Sequence, residues 1–272
     1  MTFKLRYQIT PRYLTAPSKR RSGERMSPGV RFIVAHDTGN PGSSAAANVN
    51  YYERSRDEKS ASAHLFVDDK EIIECVPALT GPPEKAWHVR YSLPVDDQMF
   101  GVNANDAAIG IEYCYGNSID ADAAYEKYVW LTAYAVHRFG LNPARDIVGH
   151  FFLDPRRRTD PVTGLAHSRR TYEQLLRDVQ DEYWASLSEE PDRNGDAVSI
   201  PASGKVRTNV RLNLRSGAPN RRAPIHQALS AGTTLDYARV IEDGEAVNGN
   251  PVWLCTPEDQ FFWSGGVAWI DT

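Results

Sequence analysis

The stretch VGHFFLDPRRRTDP, residues 148–161, sets His150 and Asp160 ten positions apart around three consecutive arginines. A second histidine, His36, closes the apolar run VRFIVAHD at 30–37, where side chains emerge at the end of a strand. Brought together, two imidazoles and one carboxylate leave one tetrahedral position open, which is how catalytic zinc sites differ from closed structural ones. Water at such a metal falls to a pKa near ~7 and becomes a usable nucleophile. The same residues also suit a solvated, charged loop, and two histidines with an aspartate do not by themselves choose between these readings.

The other five of the seven histidines have unequal surroundings. His64 falls on a β-rich run and His88 follows Trp87 in a loop. His137 sits inside an amphipathic helical pattern, the place of an interior or rim histidine, and His167 and His226 lie in polar loops. Glu112, between Ile111 and Tyr113, could face solvent by strand alternation or stand at a strand end as a proton carrier.

The elements that must position these residues alternate in type. VRFIVAHD reads as a strand, and AAANVNYYERS (45–55) as a helix after the turn NPGSS. SAHLFVDD and EIIECVP, within 62–77, read as a hairpin, and AAIGIEYCYG (107–116) as another strand. DAAYEKYVWLTAYAVHRFG (122–140) is the clearest helix, with Gly140 at its C-terminal stop. Thr171 with Gln174 three later forms a capping box that opens TYEQLLRDVQDEYWASL. This order predicts an α/β domain with a mixed sheet flanked by helices, ending near residue 187.

Residues 186–205 are polar, acidic and turn-rich, a linker by composition. The remainder carries short strands broken by Gly, Pro and Asn, a small all-β barrel. The expected organisation is a basic arm at 1–24, an α/β domain at 25–187, a linker at 188–204 and an all-β domain at 205–272.

Composition excludes several classes. The chain has 272 residues, 41% hydrophobic and 24% charged, which is globular material with enough apolar residues for a core. A net charge of -4 argues against a nucleic-acid binder. Residues 1–40 do carry eight Lys or Arg against two acids, as suits an anionic surface or a solvated tail. Three scattered cysteines exclude a disulfide framework or a CxxC zinc site. The first residues lack the apolar core of a signal peptide, and no run approaches the ~18 apolar residues of a membrane span. The expectation is a monomer made in the cytoplasm, with any work outside requiring a non-standard exit such as lysis, a holin or an injection machine.

Five motifs in this order, IVAHDTGNP, SAHLFVDD, AWH, IGIEYCYG and GHFFLDPRRRTDP, resemble the zinc-dependent N-acetylmuramoyl-L-alanine amidases over residues 25–185. That family includes phage endolysins, bacterial autolysins, a muropeptide-recycling amidase and the animal peptidoglycan recognition proteins. MSPGVRFIVAHDTGNP is most similar to the endolysin and autolysin branch, whereas the closing H-x9-D-P is more similar to the recycling branch. The resemblance implies that His36, His150 and Asp160 bind one Zn²⁺, and that Glu112 moves the proton between water and the leaving amine. It implies peptidoglycan as the substrate, cut between N-acetylmuramic acid and L-alanine. His64, Trp87 and His88 match positions that line the family's cleft, as substrate contacts or as supporting residues.

Arg158 departs from the pattern, because that position is commonly lysine in related enzymes. Arginine stays protonated, so it supplies charge and hydrogen bonds to a developing oxyanion but no proton. Arg156 and Arg157 suit surface or substrate-carboxylate contacts. The C-terminal segment resembles a bacterial SH3-like domain of the kind that binds cell walls, with Trp253, Phe261, Phe262, Trp263 and Trp269 available either as a binding surface or as core. The alternative is a non-catalytic peptidoglycan-binding protein on the same fold, although such proteins usually lack a metal ligand.

Overall fold

The computed structural model describes residues 2–188, 199–248 and 250–270. Two compact units divide the chain, one of residues 12–186 and one of residues 1–11 with 187–272. Residues 189–198 of the expected linker lie outside the described residues, and its end, from Ser199, is strand.

In chain order, β1 (Thr2–Phe3) and β2 (Ile9–Pro11) belong to the second unit. The first unit then contains β3 (Phe32–Asp37), α1 (Ala45–Arg54), β4 (Leu65–Val67), β5 (Ile72–Glu74), α2 (Val95–Phe100), α3 (Ala104–Ala107) and β6 (Ala108–Tyr113). It continues through α4 (Ala121–Arg138), β7 (Ile147–Gly149), α5 (His150–Leu153), α6 (Val162–His167) and α7 (Tyr172–Ser186). Its strands run β5-β4-β6-β3-β7 across one mixed sheet flanked by helices, with β4, β6, β3 and β7 parallel and β5 antiparallel to β4. That is the α/β architecture expected from the alternating pattern.

The apolar runs become strands because both faces of the sheet are covered. Every residue of β3 is buried, and so is β6 apart from Glu112. Phe32, Val34, Ala104, Ala108, Val148 and Leu153 form one core cluster beneath the cleft. Helix α4 is capped by Asp120, whose side chain accepts from the Asp122 and Ala123 N–H groups. It stops before Gly140, which adopts a φ of 63° that an L side chain resists. At α7 the Thr171 hydroxyl accepts from the Gln174 N–H at 3.1 Å.

The N-terminal residues of this unit are held in place. Leu14 and Met26 are buried, and Arg21 forms a buried ion pair with Glu84 at 2.8 Å. Glu74 accepts from the Ala78, Leu79 and Thr80 N–H groups and the Tyr13 hydroxyl, and its burial pushes the carboxyl up to about 7 despite these bonds.

The second unit is all antiparallel. β8 (Leu187–Ser188) pairs with β1. β9 (Ser199–Thr208), β10 (Leu212–Ser216), β11 (Ile225–Leu229), β12 (Thr234–Ile241), β13 (Trp253–Cys255), β14 (Gln260–Trp263) and β15 (Val267–Ile270) form a seven-stranded sheet in the order β11-β10-β14-β13-β12-β9-β15. Trp253 and Phe262 are buried, so these two aromatics serve the core. Among the described residues, no helix is long and apolar enough to cross a membrane.

Candidate metal centre

Three neighbouring parallel strands, β6, β3 and β7, end on one edge of the sheet, where ligands of open α/β sheets gather. β3 delivers His36 there, β6 delivers Glu112, and β7 runs directly into His150. The loop after α5 returns Asp160 to the same place, closed by a hydrogen bond from the Phe151 N–H to the Asp160 carbonyl at 3.0 Å. His36, His150 and Asp160, separated by up to 124 positions in sequence, place their ligand atoms within 4.8 Å of one another.

The Nδ1 atoms of His36 and His150 each lie 2.9 Å from Asp160 Oδ2. Hydrogen-bond chemistry fixes what His36 offers. The Ala108 carbonyl can only accept, so His88 Nε2, 3.1 Å away, carries its proton. Neutral His88 must then accept at Nδ1 from His36 Nε2–H, at 3.0 Å. This leaves His36 Nδ1 with a lone pair facing a carboxylate oxygen and no proton between them. A second proton on His36 is disfavoured, because burial, with His150 beside it, lowers its pKa to about 4. Burial alone would raise Asp160, yet its neighbours, His150 foremost with Nδ1 at 2.9 Å, hold its carboxyl well below the usual range. Two imidazole nitrogens and a carboxylate oxygen within 4.8 Å of one another are a donor set that fits a divalent cation such as zinc.

Glu112 lines the same cleft, and its Oε2 is buried with no hydrogen-bond partner. Burial and the charges of Asp160 and Asp37 push its carboxyl well above the ordinary range, opposed by Arg158. Arg158 is exposed at the rim and lines the cleft with Arg157, while Arg156 does not. Trp87 is a half-buried part of the wall, with the Lys85 ammonium 5.4 Å from its ring centre.

His64 and His88, expected as substrate contacts or supporting residues, are both buried. His64 is fully buried, with Nε2 donating to the Glu84 carbonyl at 2.9 Å and Nδ1 accepting from the Gly110 N–H at 3.0 Å. Neither ring nitrogen is left for a ligand. His88 reaches the cleft wall, but both its nitrogens are committed to Ala108 and His36. Gly110 permits this packing, since a Cβ there would lie 2.8 Å from the His88 ring.

Two supporting residues escaped the sequence reading. Asp37, next to His36, accepts from the Gly164 N–H at 2.7 Å and the Gly39 N–H at 3.0 Å, tying α6 and the loop bearing Asp160 to the end of β3. Arg20, from the supposed arm, is fully buried, bonds Ser55 Oγ at 2.8 Å and stacks 4.2 Å from the Tyr52 ring centre under the cleft. The doublet VAHD carried a faint signal for Asp37. Nothing local marked Arg20.

A family profile described as N-acetylmuramoyl-L-alanine amidase matches residues 25–163, half of the chain. The chain belongs to the N-acetylmuramoyl-L-alanine amidase family. The chain is 29% identical over 169 residues to the N-acetylmuramoyl-L-alanine amidase BlyA of Bacillus subtilis, covering 60% of this chain and 44% of that protein. It is 30% identical over 127 residues to the N-acetylmuramoyl-L-alanine amidase CwlL of Bacillus licheniformis, covering 45% of this chain and 34% of that one. The chain thus spans less than half the length of these amidases. Among solved structures, the catalytic domain of XlyA is similar in fold, at a TM-score of 0.50 and 24% identity, over 63% of this chain and 99% of that one. So is the Staphylococcus aureus hydrolase AmiA in complex with its ligand, at 0.51 and 20%, over 68% and 90%.

Proposed function

We propose that the chain is a peptidoglycan hydrolase that cuts the amide between N-acetylmuramic acid and the L-alanine of the stem peptide, with one zinc ion held by His36, His150 and Asp160. The observation that carries this reading is the convergence of His36 Nδ1 and His150 Nδ1 on Asp160 Oδ2, beside an unpartnered Glu112 Oε2, in a chain of the amidase family. Bound zinc supplies Lewis acidity, polarising the scissile carbonyl and acidifying water.

The chain's own residues do the rest. Glu112 takes a proton from the attacking water, whose oxygen bonds to the carbonyl carbon, and delivers it to the leaving nitrogen as the C–N bond breaks. Its raised proton affinity, set by burial and two nearby carboxylates, suits both halves of that transfer. Arg158 faces the developing oxyanion from the rim with a charge it never loses. Trp87 forms a wall for the substrate. His88 serves the site from behind, fixing which nitrogen of His36 faces forward.

Residues 25–187 form the catalytic domain in this reading, and residues 205–272, which carry most of the seven-stranded antiparallel sheet, are an SH3-like module that binds the wall. A non-catalytic wall binder would have no use for an unpartnered carboxyl beside the ligand set. Mass spectrometry of digested cell walls tests the assignment. Free L-alanine amino termini with intact glycan strands are expected, and new reducing ends or cleaved cross-links would overturn it.

A further inference from the structure

His36 has its outer ring nitrogen held by His88, whereas the outer nitrogen of His150 is held by nothing. His150 Nε2 is buried without a hydrogen-bond partner, and so is Asp154 Oδ2. Both residues are almost wholly buried and line the same narrow crevice on the far side of the His150 ring, with Val89, Leu93 and Leu153. The crevice is too tight for a water-sized sphere. Asp154 stands four residues after His150 at the end of α5, and its N–H bonds the His150 carbonyl at 3.0 Å, so the two side chains are helix neighbours. The exposed Arg157 lies 3.4 Å from Asp154 Oδ2 without hydrogen-bonding it.

We propose that Asp154 is a positioning residue, the carboxylate that accepts the Nε2–H of His150 and thereby aims its Nδ1 at the metal. The inference rests on the zinc reading above. A cation on Nδ1 obliges neutral His150 to carry its proton on Nε2, creating a buried donor exactly where a buried acceptor waits across a space with no room for water. Both residues line that one crevice, four positions apart at the end of α5. Ligating histidines commonly give their second N–H to a carboxylate in this way, and loss of the partner weakens metal binding by about 10–100-fold.

The test is zinc affinity by chelator competition on the full chain, with Asp154→Ala and Asp154→Asn, alongside the ¹H–¹⁵N signal of His150 Nε2–H in the zinc-loaded protein. The alanine variant should bind zinc about 10–100-fold more weakly and lose the hydrogen-bonded Nε2–H signal. Asparagine keeps an acceptor oxygen and should recover most of both. An alanine variant that binds within twofold of wild type, or equal losses in both variants with the Nε2–H signal unchanged, overturns the proposal and leaves the zinc reading standing. Wild-type protein that binds no zinc overturns both.

Discussion

His36 and Glu112 are direct partners in the parallel register of β3 and β6, so their side chains rise on the same face of the sheet, side by side. Adjacent strands lie about 4.8 Å apart, which puts the Glu112 carboxyl beside His36. Backbone pairing thus sets the spacing of His36 and Glu112.

Replacing Glu112 with Gln preserves shape but removes the carboxylate that accepts the proton in the proposed mechanism. Turnover of cell walls should fall by about 10²–10⁴-fold, while zinc content by metal analysis stays at the wild-type level. A variant that keeps substantial activity takes Glu112 out of the mechanism.

Asp160→Ala removes the anion on which both histidines converge. Zinc stoichiometry should drop well below one per chain, and a chelator should abolish wild-type activity. Unchanged metal content in the variant would contradict the ligand assignment.

Arg158 contributes charge at the rim, where lysine would also serve. Arg158→Ala should lower kcat by about 10²–10³-fold with zinc affinity little changed, and Arg158→Lys should retain most of the rate. Steady-state kinetics on soluble muropeptides separates the two; equal losses in both variants would show that geometry rather than charge matters there.

Gly164 is pressed against Asp37, and a Cβ would come within 2.6 Å of the Asp37 Cβ and 2.9 Å of the Tyr115 ring. Gly164→Ala should therefore cost about 1–3 kcal/mol, seen as a lower Tm, and should loosen zinc binding through the displaced Asp160 loop. A melting curve that superimposes on wild type would mean that the contact yields freely.

His64 governs part of the pH dependence of the metal-free protein. Burial lowers its pKa from 6.5 to about 4, so between these values the unfolded chain binds a proton that the folded chain does not. Stability then rises with pH across that window, by up to about 1.4 kcal/mol per pH unit, and is lost as pH falls through it. His36 adds a slope of the same sign. Glu74 acts oppositely from 4.5 to about 7, because its folded carboxyl keeps a proton that the unfolded one releases. Denaturant titrations of His64→Gln at pH 4.5 and 6.5 should show a shallower pH dependence than wild type, and an identical slope would remove His64 from this balance.

Much of this protein was legible along the chain. The strand and helix runs, the cap Thr171, and the stop at Gly140 are local patterns that read the same in sequence and structure, because neighbouring residues alone set them. The motifs around His36, Glu112, His150 and Asp160 named the candidate site for a related reason, since each sits beside the strand end or turn that presents it. What lay behind the site was not legible. That His64 and His88 are buried supports, that Arg20 lies under the cleft and Asp37 grips Gly164, and that Asp154 faces the back of His150 all depend on strand order and on how loops fold over the sheet. Sequence carries the period of a side chain along its own element. Only packing decides which distant carbonyl or carboxylate its polar atom meets, and here that choice fixes the protons on His36 and hence what the site can hold.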